Sequence, residues 1–211
     1  MSRRNRFAVG ACAGFLVGLT RPTVITLPVL FLWEAIRRIR RGEESWFGNL
    51  ICAAAPLAGL ALYLGVVGYL VDDPLGYLKI QAGRGSSWRL PFLPLVEDLS
   101  VFLVNLRYGK IGPVDQLVRF FFTFSILGLI AWGWRKFDPA FLAYLIVSMI
   151  FIHSQEPHAG TARYEMVLFP IFLMLPRTMI SRPPVAWIVA GLMVATQILL
   201  FIRHATWAWV S

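Results

Sequence analysis

The chain alternates long apolar blocks with short segments that hold most of its charged residues. The first block runs from Phe7 to Ile36 and is interrupted by Arg21-Pro22. The later blocks are Asn49 to Val71, Gln116 to Trp134, Pro139 to Ile152, Tyr164 to Leu175 and Val185 to Ile202. Apolar blocks that approach about 20 residues are typical of transmembrane helices, in which the backbone satisfies its own hydrogen bonds. The pattern therefore predicts an all-α integral membrane protein with about seven helices, several of them short or broken.

The first block is compatible with either a hairpin of two short helices or one kinked helix of 30 residues. Proline removes a backbone donor and crowds the preceding turn, so we expect a real break at Arg21-Pro22. Basic clusters flank the block on both sides, at residues 3–6 and 37–41. One span would place one cluster outside, whereas two short spans keep both inside, as the positive-inside rule favours. We therefore predict a hairpin with Arg21 at its outer apex, and we expect no signal-peptide cleavage because the apolar pattern resumes directly after Pro22.

The remaining basic residues extend this orientation to the whole chain. The predicted inner segments hold 11 of the 20 Lys and Arg residues, namely Arg3, Arg4, Arg6, Arg37, Arg38, Arg40, Arg41, Arg135, Lys136, Arg177 and Arg182. The prediction is a single polytopic membrane domain over residues 1–211, with a cytoplasmic N-terminus and an outer C-terminus. A long outer loop spans about residues 72–115, and within it Leu93 to Leu106 is predicted to form an amphipathic helix at the interface.

Composition agrees with a membrane protein. Hydrophobic residues make up 58% of the chain and charged residues 15%, whereas a soluble domain has about 45–50% and about 25%. The net charge of +9 comes from clusters at the ends of apolar blocks, which favours contact with lipid headgroups over nucleic acid. Cys12 and Cys52 fall inside apolar blocks, and we expect both to be buried small residues.

Polar residues gather on the predicted outer side, at the ends of short helices. A charge at membrane depth is costly, so Arg21 needs a partner; its guanidinium either snorkels to headgroups or binds a ligand phosphate. The Asp72-Asp73 pair is either a helix stop or part of a site. His153 and His158 lie five residues apart without a clear carboxylate partner, so we predict no metal site.

Three segments, in this order, carry a family resemblance: Gly14-Phe-Leu-Val-Gly-Leu-Thr-Arg-Pro22, Asp73-Pro-Leu-Gly-Tyr-Leu-Lys-Ile-Gln81 and Arg163-Tyr-Glu-Met-Val-Leu-Phe-Pro170. Together with the closing Trp207 and Trp209, they resemble the C-terminal half of the PIG-V-like mannosyltransferases. These enzymes belong to the GT-C class of polytopic glycosyltransferases, which use polyprenyl-phosphate sugars. The Thr-Arg-Pro hairpin is shared widely across that class, and the other two segments are more specific.

The resemblance implies a GT-C-like C-terminal portion of a membrane glycosyltransferase that uses a polyprenyl-phosphate sugar donor at the outer face, with no further cofactor identified. The implied phosphate- and substrate-binding residues are Arg21, Lys79, Gln81, Arg89, Arg163 and Tyr164. The family's catalytic acid lies in a first outer loop that has no counterpart here. The chain is therefore expected to be either a truncated or split gene product, with a separate chain as the source of that N-terminal part, or a partial homologue with another function. Acidic residues that could stand in as general base are Asp72, Asp73, Glu156 and Glu165. The alternative is a non-catalytic membrane subunit or lipid-phosphate-binding module.

Overall fold

The computed structural model describes residues 3–20, 22–73, 87–108 and 114–156, with single positions at 76, 79 and between 164 and 202. This part of the chain is helical, as the apolar pattern predicts. Its helices are α1 (Arg3–Gly18), a short 3-10 helix (Pro22–Thr26), α2 (Pro28–Arg40), α3 (Trp46–Val71), α4 (Leu93–Arg107), α5 (Val114–Gly133) and α6 (Pro139–Ile152). Two-residue strands, β1 (Ser87–Trp88) and β2 (Gln155–Glu156), pair in antiparallel fashion.

The chain divides into two compact units. The first contains residues 1–88, 138–151 and 155–157, and the second contains residues 89–137, 152–154 and 158–211. The predicted spans Tyr164 to Leu175 and Val185 to Ile202 lie largely outside the described residues. The isolated positions described there are helical, apart from Leu168.

In the first unit, α1 and α3 pack side by side through glycines. Contacts along the pair advance in the same direction on both helices: Phe7 meets Gly48, Gly10 meets Cys52, Gly14 meets Pro56 and Gly18 meets Gly59. A methyl group on Gly59 would collide with the carbonyl oxygen of Phe15, and one on Gly18 with that of Pro56. Small residues of this kind allow helix backbones to approach closely, as they do between transmembrane helices. The two helices therefore run parallel.

Because α1 and α3 run parallel, the chain must reverse direction between them, and α2 returns antiparallel to both. This is the hairpin alternative of the sequence analysis. The hairpin is short, however. The end of α1 at Gly18 lies beside Gly59, whereas α3 continues to Val71, about 18 Å further at 1.5 Å per residue. The end of α1 is therefore level with the middle of α3.

Helix α6 joins the first unit at two levels. Ser148 donates a hydrogen bond to Thr26 across 2.9 Å, and Arg37 pairs with Asp138 at 2.9 Å. From the 3-10 helix to the end of α2 the chain therefore runs opposite to α6. Helix α6 is antiparallel to α2 and parallel to α3. Arg37 follows the first apolar block, and its hydrogen bond to Asp138 raises the pKa of the guanidinium, against the opposing effect of partial burial. Asp138 also caps α6, since its Oδ1 accepts from the Ala140 N–H at 2.9 Å.

Among the described residues, two helices are long and apolar enough to cross a membrane: α3 (Trp46–Val71) and the Gln116–Gly133 part of α5. The apolar helices Phe7–Gly18 and Pro139–Ile152 are shorter. The described protein buries only 28% of the most apolar window of α3 and 33% of that of α5, whereas a soluble core helix is covered on most sides. Of the two cysteines, Cys52 is buried as predicted, but Cys12 is exposed.

In the second unit, α4 forms where the sequence predicts an amphipathic helix, and it packs on α5. The rings of Phe102 and Phe120 meet edge to face with centroids 5.6 Å apart. Gln116 donates to the Asp98 carbonyl oxygen at 3.0 Å. Arg119 lies 3.1 Å from the Asp98 carboxylate, an ion pair without hydrogen-bond alignment. These contacts fix the register of α4 against α5.

Candidate functional site

The second unit contains a buried polar cluster formed by Thr123, His153 and Glu165. Each of the three residues is 0% exposed. Thr123 comes from the middle of α5, His153 follows the last residue of α6, and Glu165 belongs to the third segment of the family resemblance. Buried ionisable groups are rare in globular and membrane proteins unless they are paired. We therefore take this cluster as the candidate functional site.

The three side chains converge on one carboxylate oxygen. Thr123 Oγ1 donates a hydrogen bond to Glu165 Oε1 at 2.6 Å, and His153 Nε2 lies 2.9 Å from the same oxygen. The distance from Thr123 Oγ1 to His153 Nε2 is longer, at 3.4 Å. A nucleophilic hydroxyl must give its proton to a neighbouring base such as histidine, whereas this hydroxyl points its proton at the carboxylate. The cluster thus orients Glu165 and does not activate Thr123.

The second carboxylate oxygen, Glu165 Oε2, is buried and accepts no hydrogen bond from the part of the chain that the structure describes. Leaving a buried polar atom without a partner costs about 1–3 kcal/mol, and more for a charged group. Native proteins have few such atoms. This oxygen is therefore a position at which a hydrogen-bond donor from outside the described chain would be stabilised.

A tight turn, Arg89 to Phe92, covers one side of the cluster. The Phe92 ring stacks on the His153 ring, with centroids 5.2 Å apart and planes 23° from parallel. Two backbone N–H groups of the turn donate to the segment after α6, from Phe92 to the His153 oxygen at 3.2 Å and from Arg89 to the Ser154 oxygen at 2.9 Å. Phe92 has a φ of 63°, which is strained for a bulky residue. The Arg89–Phe92 turn is therefore a small, strained element beside the buried cluster.

Two of the sequence-predicted binding residues are ion-paired in the structure. Lys79 contacts Asp73 at 2.7 Å and is itself 67% exposed. Arg89 contacts Glu97 at 2.8 Å, also at the surface. Asp72 is the C-cap of α3 and takes a left-handed conformation there, with φ of 54°.

The other predicted site residues are described less fully. Arg21, Gln81 and Arg163 lie outside the described residues. Tyr164 is helical and partly exposed at 38%. Glu156 belongs to β2, where its backbone is paired with that of Ser87.

Sequence reasoning missed Thr123 and assigned no role to His153. Thr123 stands in the run Phe-Phe-Phe-Thr-Phe124, and hydroxyl residues are common in apolar helices, where they bond their own backbone or a neighbouring helix. Nothing in the local sequence separates these roles. From its sequence position, His153 suggests only a metal ligand beside His158. Among the described residues, no group of three or more His, Cys, Asp or Glu is placed to hold a metal ion.

No protein-family model, no curated protein and no solved structure matches the chain. The case for a function therefore depends on the residues of the chain itself.

Proposed function

We propose that this chain is a multi-pass membrane protein that binds a polyprenyl-phosphate sugar at the outer face of the membrane. In this proposal it corresponds to the C-terminal part of a mannosyltransferase-like, GT-C-type glycosyltransferase, with a cytoplasmic N-terminus and an outer C-terminus. Surrounding lipids and the lipid-linked sugar are its small-molecule partners, and a separate chain that carries the catalytic acid is its proposed protein partner.

The observation that carries the membrane part of this proposal is the uncovered apolar surface of α3. At 26 residues, α3 is about 39 Å long, enough to cross a hydrocarbon core of about 30 Å. Apolar residues remain exposed along its whole length, from Phe47 (60%) to Leu70 (75%). Monomeric soluble proteins rarely expose apolar surface on this scale, whereas lipid would cover it at no cost.

The relation between α1 and α3 supports the lipid-phosphate part. The first segment of the family resemblance contains the end of α1 at Gly18, and the second begins two residues after the end of α3 at Val71. Because the helices are parallel, their ends point toward the same side. Arg21 follows the end of α1 in the sequence and stands between two apolar stretches. A cation at membrane depth needs an anionic partner, and a lipid phosphate provides one. Arg163 is the second proposed phosphate ligand.

Transfer of the sugar would need a cationic site for the departing phosphate and a base for the acceptor hydroxyl. Two of the candidate bases already have partners in the structure: Asp73 pairs with Lys79, and Glu165 with Thr123 and His153. This favours binding of the lipid-linked sugar by this chain without catalysis by this chain alone. The same observation keeps the alternative of a non-catalytic lipid-phosphate-binding module as the second candidate.

A lipid-binding titration tests the proposal. Purified full-length protein in detergent is titrated with polyprenyl phosphate, and the wild type is compared with Arg21→Ala and Arg163→Ala. Hydrogen bonds to charged groups contribute about 1.5–3 kcal/mol, so each substitution should weaken binding by about ten- to hundred-fold. Thermal unfolding serves as the folding control.

The matched control is Arg40→Ala, an exposed arginine in the last turn of α2. It removes the same charge from the opposite end of the hairpin and should change the affinity little. Equal losses for all three variants would mean that general electrostatic attraction, and no specific phosphate site, accounts for binding.

A further inference from the structure

Glu165 has a role that phosphate binding leaves unexplained. Its Oε1 atom receives the hydroxyl proton of Thr123 and contacts His153 Nε2, so the orientation of the carboxylate is fixed from two sides. The other oxygen, Oε2, is equally buried, and no described residue donates to it. Thr123 and His153 thus hold the Glu165 carboxylate in place through Oε1, while Oε2 has no described hydrogen-bond donor. An arrangement of this kind suits a group that binds a ligand, since ligand sites are largely apolar with a few well-placed polar atoms.

The chemistry of the site limits the class of ligand. Oε2 is an acceptor, so the ligand must present a donor. Phe92 supplies an aromatic surface stacked on the ring of His153, and His153 Nε2 contacts the same carboxylate through Oε1. A sugar offers hydroxyl donors on its edge and C–H groups on its faces, and therefore matches a carboxylate beside an aromatic ring.

We propose that Glu165 binds a hydroxyl of the sugar carried by the polyprenyl phosphate, with Oε2 as the acceptor, and that the Arg89–Phe92 turn opens to admit it. The inference depends on the proposed function, which brings a lipid-linked sugar to the protein. The turn is suited to opening because it is short, is held to residues 153 and 154 by two backbone hydrogen bonds, and contains the strained Phe92. Strained backbone of this kind is concentrated at ligand clamps and switch regions.

The test compares two ligands that differ in the sugar and in the phosphate, which is a diester in one and a monoester in the other. The phosphate difference is the same for wild type and variant, so the change in the affinity ratio reports the sugar. Wild-type protein and Glu165→Gln are titrated with polyprenyl-phosphate mannose and with bare polyprenyl phosphate of the same chain length. Glutamine keeps an oxygen for Thr123 and His153 but replaces Oε2 with an NH₂ group, which cannot accept. In the wild type the sugar should increase affinity by about ten-fold or more, and in Glu165→Gln this increase should be lost.

Glu44→Gln is the matched control, because Glu44 is an exposed acid in the turn between α2 and α3. It should preserve the wild-type ratio of the two affinities. An unchanged ratio in Glu165→Gln would overturn the inference while leaving the proposed function intact. Failure of the wild type to bind either lipid would overturn the proposed function, and the inference with it.

A measurement on the wild type covers the case in which Glu165→Gln does not fold. Dicyclohexylcarbodiimide modifies carboxylates in apolar surroundings, and mass spectrometry of the digested protein reports the modified fraction of Glu165. Polyprenyl-phosphate mannose should protect Glu165, and bare polyprenyl phosphate should not. Equal protection by both lipids, or protection by neither, would contradict the assignment of a sugar hydroxyl to Glu165.

Discussion

The glycine contact between α1 and α3 makes a quantitative prediction. In Gly59→Ala, the new methyl group would collide with the carbonyl oxygen of Phe15 and come within 3.1 Å of the Gly18 Cα. Backbone atoms cannot rotate away, so the two helices must separate. Overpacking of this kind costs about 1–3 kcal/mol, whereas the higher helix propensity of alanine returns up to about 1 kcal/mol.

Gly65→Ala separates these two effects, because Gly65 lies in the same helix and a methyl group added there would have nothing within 4 Å. It should be neutral or slightly stabilising. Gly59→Ala should therefore be less stable than Gly65→Ala by about 1–3 kcal/mol, the steric term alone. Unfolding by sodium dodecyl sulfate in mixed micelles, followed by the fluorescence of the eight tryptophans, measures the difference. Equal stability of the two variants would refute the close parallel packing of α1 and α3.

Three further predictions follow from particular contacts. The Cys52 sulfur lies 3.3 Å from a Cβ placed on Gly10. Gly10→Cys should therefore form a disulfide with Cys52 on mild oxidation, and mass spectrometry detects it. Linkage of Cys52 to Cys12 instead would contradict the register of α1 against α3. Asp138→Asn should lose the partly exposed pair with Arg37 and cost at most about 1 kcal/mol, mostly removed by salt. Asp138→Ala should lower the free energy of unfolding by about 1 kcal/mol more than Asp138→Asn, because it also removes the cap of α6. Unfolding measured over a range of salt concentrations tests this, and equal stability of the two variants would exclude the capping role. Purified protein alone should transfer no sugar from polyprenyl-phosphate mannose to lipid or glycan acceptors. Reproducible transfer would show that a residue of this chain acts as the base.

The helices of the described part could be predicted largely from local sequence. The predicted end points of α6, Pro139 and Ile152, are those in the structure, because Pro139 fits the first turn of a helix and the apolar run ends at Ile152. The break before Pro22 has an equally local cause. The sequence could not predict the level at which α1 ends beside α3. The length of an apolar run sets the length of a helix, whereas the level of α1 against α3 depends on which glycines meet.

The candidate site was predictable only in part. Glu165 and His153 both belong to polar segments, so the sequence places them near helix ends. Their meeting with Thr123 depends on packing between residues 30 and 42 positions apart, which no local pattern encodes. The choice of Glu165 Oε1 as the shared acceptor is likewise a product of side-chain geometry.

The central claim is that the chain crosses the membrane several times, with its polar loop outside. Single cysteines at Ser87 and Ser181 (the latter outside the described residues), in a background with Cys12 and Cys52 replaced by alanine, can be labelled in sealed, oriented vesicles with a membrane-impermeant maleimide. The account predicts that the cysteine at position 87 reacts from the outer side and that the cysteine at position 181 reacts only after the membrane is opened. Labelling of both positions from the same side, with the vesicles intact, would contradict it.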